Sequence, residues 1–292
     1  MVTGPTGVGK SVFAVELAER LNGEIIGADA FQIYAGLPIL TSQPSADLRR
    51  RVRHHLIGTV SLLESFDVAR YAAAAGACMA EVFARGRVPV VVGGTGLYLK
   101  ALTHGLAELP PVDEDLRREI QAMGHSGAVE RLRVLDPEAA ARIDLKNPVR
   151  VSRALEIVIS TGRPLAESRG SWAESRDEFS GIVLTRERGE LRERIEGNVA
   201  AMFGQGVVDE VRGVHPAGRG ASRAIGYVQI TRFLAGELDE MVCRAEIVRA
   251  TWRYAKRQLT WSRNQFNFAS INLTATTDPI EAATRILAGK SA

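Results

Sequence analysis

The sequence predicts an α/β protein: a P-loop-containing, largely parallel sheet core with a small helical domain inserted into it. Three observations lead there. Short apolar runs rich in β-branched residues at 24–28, 88–92, 181–185 and 268–273 alternate with amphipathic helical stretches such as 11–21, 71–85 and 191–203, the order expected of βα units whose strands pair in parallel. Gly4-Pro5-Thr6-Gly7-Val8-Gly9-Lys10-Ser11 fits G-x-x-x-x-G-K-[ST] and runs straight into the first helical stretch, which is the context that pattern requires. From residue 113 to residue 180 strand signals stop, and short helical patterns are punctuated by Gly124, Gly127, Pro137, Pro148, Gly162 and Pro164. The sheet core is therefore expected over 1–112 and 181–292, with 113–180 as the inserted helical domain.

In chain order, only Met1, Val2 and Thr3 precede Gly4, whereas the strand ahead of such a loop usually has about five residues. Either that strand is short or the natural start has been lost. Within the loop, glycines let backbone N–H groups curl around phosphate oxygens, and the helix N-terminus adds positive potential. Lys10 supplies a charge, and the Ser11 hydroxyl can ligate Mg²⁺. Residues 4–11 should thus hold a diphosphate or triphosphate, without saying which compound carries it.

Asp29 ends the run Glu24-Ile25-Ile26-Gly27-Ala28, at the carboxyl edge where ligands of open α/β sheets bind. A carboxylate there either takes a proton from a nucleophile beside the phosphates or caps a turn. Val88-Pro89-Val90-Val91-Val92 leads into Gly93-Gly94-Thr95-Gly96-Leu97-Tyr98, where an ATPase would commonly carry an acidic residue, and no Asn-Lys-x-Asp guanine signature occurs. The Thr95 hydroxyl can bond a substrate group, or the glycines simply make a turn.

The long helical region from Glu237 to about Gln265 carries Arg249, Arg253, Lys256, Arg257 and Arg263 with no acid between the first and the last. The first four fall at i, i+4, i+7 and i+8, which on a helix makes one cationic ridge. Such a ridge is either a solvated face or a grip on RNA. Trp252, Tyr254 and Trp261 lie among these cations and can stack on unpaired bases or anchor a core. A second cluster, Arg142, Lys146, Arg150 and Arg153, straddles the insertion.

Composition bounds the rest. With 292 residues, 46% hydrophobic and 24% charged, the chain can bury one large core or a core with an inserted subdomain. A formal charge of +3 and a pI near 9.0 permit a nucleic-acid partner without demanding one. No run approaches the ~18 apolar residues of a membrane span and no secretory leader is seen, so a cytoplasmic protein without membrane contact is expected. Cys78 and Cys243 lack metal or disulfide spacing.

Taken together these segments resemble the tRNA dimethylallyltransferase family over essentially the whole chain. The resemblance rests on residues 4–11, Asp29-Ala30-Phe31-Gln32-Ile33-Tyr34 with Gly36, His54-His55-Leu56-Ile57, and the run from Val92 through Thr95 to Leu102. Further on it rests on Arg150-Val151-Ser152-Arg153-Ala154-Leu155-Glu156, Ala224-Ile225-Gly226-Tyr227 and Ala255-Lys256-Arg257-Gln258-Leu259-Thr260-Trp261. It implies an enzyme, expected to act as a monomer, whose P-loop (Gly4, Pro5, Thr6, Gly7, Val8, Gly9, Lys10, Ser11) holds the diphosphate of dimethylallyl diphosphate with Mg²⁺. The prenyl group would pass to N6 of the adenosine 3′-adjacent to the anticodon. The partner is the tRNA anticodon stem-loop, embraced in part by the inserted domain.

By the same resemblance Asp29 is the general base, with Thr95 and Lys10 beside the reacting groups. Asp29, Ala30, Phe31, Gln32 and Thr95 face the flipped base and its neighbours. Arg117, Val149, Arg150, Val151, Ser152, Arg153, Arg223, Gly226, Tyr227, Lys256, Arg257, Gln258 and Arg263 face the tRNA. The rivals are an ATP-dependent P-loop small-molecule kinase and a tRNA-binding relative whose chemistry is weakened or lost. The chain departs from the family at Ala30, usually serine; at Gln43, usually lysine; at Gly58, usually acidic; and at Asn198, usually an arginine directed at the diphosphate. With Lys10, Ser11, Asp29 and Thr95 kept, the chemistry is expected to survive with weaker donor binding, since a lost charge-assisted hydrogen bond removes about one to two decades of affinity.

Overall fold

In the computed structural model the described residues are 1–106, 113–169 and 179–289. They fall into two compact units, Met1–Thr103 with Asp177–Ala292, and His104–Arg176. The boundary expected at residue 112 lies outside the described residues.

The first unit is built on a six-stranded sheet: β1 (Val2–Thr3), β2 (Gly23–Gly27), β3 (His54–His55), β4 (Val88–Gly93), β5 (Ile182–Thr185) and β6 (Ala269–Asn272), in the order β3-β2-β4-β1-β5-β6. Every pairing is parallel. The strand before the phosphate-binding loop is central: Val2 pairs with Val92 on one side and Ile182 on the other, and both its residues are buried. The two-residue β3 is too brief to leave a period-2 signal, so sequence patterning misses it.

Both faces of the sheet are covered, as a parallel sheet requires. Successive residues point to opposite sides, so Ile25 and Val90 join a cluster with Phe13, Leu17, Leu191, Ile195 and Ala283, while Ile26 and Val91 join Tyr71, Ala75, Tyr98 and Leu99. The first cluster seats the helices Lys10–Arg20, Arg188–Gly204 and Pro279–Ala288, and the second seats Val68–Ala84 and Gly96–His104. A third cluster joins Ile33, Leu37 and Leu40 to Val207, Tyr227, Ile230 and Ile247, fixing the chain that follows β2 against the long helix Glu240–Gln265. The register matters for function. Thr3 lies opposite Gly93 and Val183, and Gly27 opposite Val92, so the segments leaving β1, β2, β4 and β5 all emerge at one edge.

The opposite end of β2 is tied down electrostatically. Buried Glu24 accepts a forked pair from Arg85, at 3.2 and 2.8 Å, and bonds His55 Nε2 at 2.7 Å. The Arg85 contact, helped by His55, holds the Glu24 carboxyl down at about 2 against an ordinary 4.5. A depressed carboxylate stabilises the fold fully above its ordinary pKa, and that contribution fades as pH falls from 4.5 towards 2. Glu24→Gln is therefore expected to lower the melting temperature at neutral pH by about 5 °C, with the gap to wild type closing in acid. An equal gap at pH 7 and pH 3 would contradict this account.

The second unit has its own core of Ile120, Ala128, Leu132, Val151, Ala154, Leu155 and Ile157. Its helices Glu114–Ala122, Gly124–Leu135, Pro137–Arg142, Pro148–Thr161 and Leu165–Arg169 owe their limits to capping chemistry. Asp113, Asp136 and Asn147 accept backbone N–H bonds at three N-termini, and Gly162 ends the longest helix in a left-handed conformation. Asp136 also accepts from Leu165 N at 2.7 Å, joining two of the helices.

Candidate active site

The loop of residues 4–11 turns from β1 into the helix Lys10–Arg20. Gly4, Gly7 and Gly9 have φ of 149°, 81° and 105°, values that L side chains rarely adopt. Lys10 Nζ folds over the loop and donates to the carbonyls of Gly4 (3.0 Å) and Pro5 (2.9 Å). Burial pushes its pKa down to about 8, with the nearby Asp29 charge working against the shift. Ser11, second residue of the helix, makes no side-chain hydrogen bond among the described residues, which leaves its hydroxyl able to take a metal ligand position.

Asp29 leaves β2 at the shared edge. Its Oδ1 accepts from Phe31 N (2.9 Å) and Gln32 N (3.3 Å), so the turn-capping role is real. That role occupies one oxygen; Oδ2 takes no hydrogen bond among the described residues. Thr95 Oγ1 accepts from Ala30 N at 2.9 Å, bringing the segment after β4 against the segment after β2. Burial raises the pKa of Tyr254, with the nearby Asp29 charge adding to the shift and the Thr95 and Gln258 side chains opposing it. Gln258 completes the link: its Oε1 accepts from Thr6 N (2.8 Å) and its Nε2 donates to Gly94 O (3.0 Å). One buried amide thus joins the phosphate-binding loop to the Gly-Gly-Thr segment. The room for it comes from Gly94, where a Cβ would lie 2.1 Å from Gln258 Nε2, and from Gly96, where it would lie 2.3 Å from the Trp261 ring.

Lys10, Asp29 and Thr95 are therefore brought together, with Ala30, Phe31 and Gln32 in the turn beside them. Four residues expected to face tRNA do not. Val151 is fully buried in the core of the second unit, and Gln258 is occupied as described. Gly226 is packed so that a Cβ would meet Leu40 Cδ1 at 2.8 Å. Tyr227 is buried with its hydroxyl bonded to His215 Nδ1 (2.9 Å) and Ala217 N (2.8 Å). These side chains hold the scaffold, because an atom enclosed by protein cannot touch a phosphate.

Arg223, Lys256, Arg257 and Arg263 are exposed. With Arg249 and Arg253 they have no ion pair among the described residues, although Lys256 lies over Trp252 and Arg257 over Tyr254. In the second unit Val149 and Arg150 are exposed and Ser152 half-buried. Arg117 and Arg153 are both drawn to Glu156, at 3.1 Å each, and Arg142 to Glu138. Trp261 is a packing residue, edge-on to Phe266.

Two arginines that sequence reasoning passed over also reach the loop. Arg186 Nε donates to Val8 O (2.8 Å) and Arg194 Nε to Gly7 O (2.9 Å). Tyr254, expected to stack on unpaired bases or anchor a core, lies near Asp29, and its one-turn spacing before Gln258 is the signal for that placement. Gln43, Gly58 and Asn198, three of the four departures, line one cavity of about 730 Å³ with Arg49 and Met202. Gln43 Oε1 accepts from Arg49 Nη2 there at 2.7 Å. Among the described residues no cluster of three His, Cys, Asp or Glu side chains could hold a metal, and no helix is long and apolar enough to cross a membrane.

The family model described as IPP transferase matches residues 32–265. A tRNA dimethylallyltransferase of Akkermansia muciniphila is 39% identical over 286 residues, 98% of this chain and 97% of that relative. The tRNA dimethylallyltransferase 1 of Citrifermentans bemidjiense is 44% identical over 266 residues, 88% and 86% of the two chains. Among solved structures, the full-length tRNA isopentenylpyrophosphate transferase of Bacillus halodurans superposes with a TM-score of 0.74 at 36% identity, covering 99% of this chain and 95% of that one. A eukaryotic dimethylallyltransferase acting on tRNA shares the fold at a TM-score of 0.82 and 23% identity, covering 98% and 77%. Sequence motifs, sheet order and these likenesses agree: the chain belongs to the IPP transferase family.

Proposed function

We propose that this protein transfers the dimethylallyl group of dimethylallyl diphosphate to N6 of the adenosine 3′-adjacent to the anticodon of tRNA, in the cytoplasm, releasing diphosphate. The observation that carries the reading is the meeting of Lys10 on the phosphate-binding loop with Asp29 and Thr95 at one sheet edge, in a chain of this family. Loop amides and Lys10 hold the diphosphate. The adenine amine is a weak nucleophile because its lone pair is delocalised into the ring. As N6 attacks C1 of the donor, the C1–O bond breaks, and the amine proton passes to the free oxygen of Asp29. Lys10 and the loop amides sit where negative charge grows on the leaving diphosphate. The Ser11 hydroxyl and diphosphate oxygens would hold Mg²⁺, which neutralises part of that charge; one protein ligand suits an ion that keeps most of its waters.

The hydroxyls of Thr95 and Tyr254 lie near Asp29 and position the acceptor. Phe31 and Gln32 lie in the turn that Asp29 caps, next to where an extruded base must enter, and an unpaired loop nucleotide is the least costly kind to extrude. The exposed cations of the long helix, together with Arg223 and Arg150, supply attraction to the RNA backbone.

The deciding experiment treats unmodified tRNA with purified protein, Mg²⁺ and dimethylallyl diphosphate, followed by mass spectrometry of its nucleosides and mapping of the modified position. The expected product is a dimethylallyl group on the anticodon-adjacent adenosine. Transfer of label from γ-labelled ATP to a small acceptor, with the tRNA untouched, would return the reading to a kinase. Binding of tRNA without any product would reduce it to an inactive relative.

A further inference from the structure

We infer that Arg186 and Arg194 form a second grip on the donor diphosphate, opposite Lys10, and take the place of a charge at Asn198. The inference deepens the proposed function and rests on it.

The placement is built from packing. The helix Arg188–Gly204 lies so close to the loop that a Cβ on Gly7 would meet Ile195 Cγ1 at 3.0 Å and Leu191 Cδ1 at 3.6 Å. Both of these side chains are buried, which fixes the helix there, and Arg194 is the neighbour of Ile195. Arg186 follows the last residue of β5, and β5 pairs with the strand that feeds the loop. The two side chains approach from different elements and converge: a Cβ built on Gly9 would lie 3.6 Å from Arg186 Nη2 and 3.7 Å from Arg194 Nη2.

Each arginine uses its Nε on a loop carbonyl. The terminal nitrogens are the ones whose planar fork matches a phosphate. Arg186 directs Nη1 to Glu190, whose other oxygen accepts from the Thr274 hydroxyl. Arg194 has no ion pair among the described residues. Around the loop, three cations (Lys10, Arg186 and Arg194) therefore face two carboxylates, Glu190 and Asp29. An excess of cations around backbone amides is what an anion site requires and what a merely braced turn does not. Asn198 lies one turn beyond Arg194 on the same helix and opens on the cavity shared with Gln43 and Gly58. A missing charge at 198 is thus made up from 194 and 186, and the weaker donor binding expected from Asn198 alone should not appear.

Calorimetric titration of Mg²⁺ with inorganic pyrophosphate, and separately with dimethylallyl diphosphate, into the full chain tests this. Arg194→Gln is expected to weaken both about tenfold and Arg186→Gln by a similar factor, with tRNA affinity within twofold of wild type. Arg194→Lys, which keeps charge but not the fork, should recover part of the loss. Arg192→Gln on the exposed side of the same helix is the control and should bind both like wild type. The proposal is overturned if both glutamine variants bind pyrophosphate within twofold of wild type while Lys10→Met loses binding, since the arginines would then only brace the loop. If Lys10→Met itself binds like wild type, the phosphate-site reading of the loop fails instead.

Discussion

Asp29→Asn is expected to slow single-turnover prenyl transfer by about 10²–10⁴ while leaving tRNA affinity within a few-fold. The choice of asparagine follows from the geometry. Asp29 Oδ1 caps the turn through Phe31 N and Gln32 N, and Oδ2 has no hydrogen-bond partner among the described residues. An asparagine carbonyl can still accept both backbone bonds, so the turn survives, and with it Phe31, Gln32 and the Ala30–Thr95 contact. The substitution removes the capacity to take a proton and, with it, the charge that opposes the downward shift of Lys10. A single-turnover rate within threefold of wild type, with the protein folded, would show that the proton leaves by another route and that Asp29 is a turn cap alone.

Features decided by local pattern could be read directly from the chain. Residues 4–11 make an anion loop wherever a strand and a helix flank them, and alternation of apolar runs with helical stretches already implied a parallel sheet and a common carboxyl edge for Lys10, Asp29 and Thr95. Features decided by what packs against what could not be read. Residues 257 and 258 are neighbours on one helix, yet Arg257 is exposed while Gln258 is buried beneath Gly94. Only the three-dimensional proximity of residues 6, 94 and 258 reveals that role. Val151, Gly226 and Tyr227 sit inside motifs that resemble an RNA-facing surface, but a helix turns its face every residue, so a motif marks a segment and not the side that meets a ligand. The departures at Gln43, Gly58 and Asn198 look scattered along the chain; their common cavity appears only once the helix Arg188–Gly204 is laid against the segment after β2.

Lys10 provides the other large effect, and it depends on pH. Burial brings its pKa down to about 8 from 10.5, opposed by the Asp29 carboxylate. Only the ammonium form attracts a diphosphate. Donor affinity should therefore hold below pH 8 and fall as pH rises through it, by about tenfold between pH 7 and pH 9. The bound diphosphate favours the charged lysine, so binding above pH 8 must draw a proton from solution. Titrations in buffers of different ionisation enthalpy will read that uptake directly. Lys10→Met should lower donor affinity by about two decades, abolish the proton uptake and flatten the profile, leaving tRNA affinity unchanged. Donor binding that is equally strong at pH 7 and pH 9 in the wild-type protein, with no proton exchanged, would mean that Lys10 is not the group that meets the diphosphate.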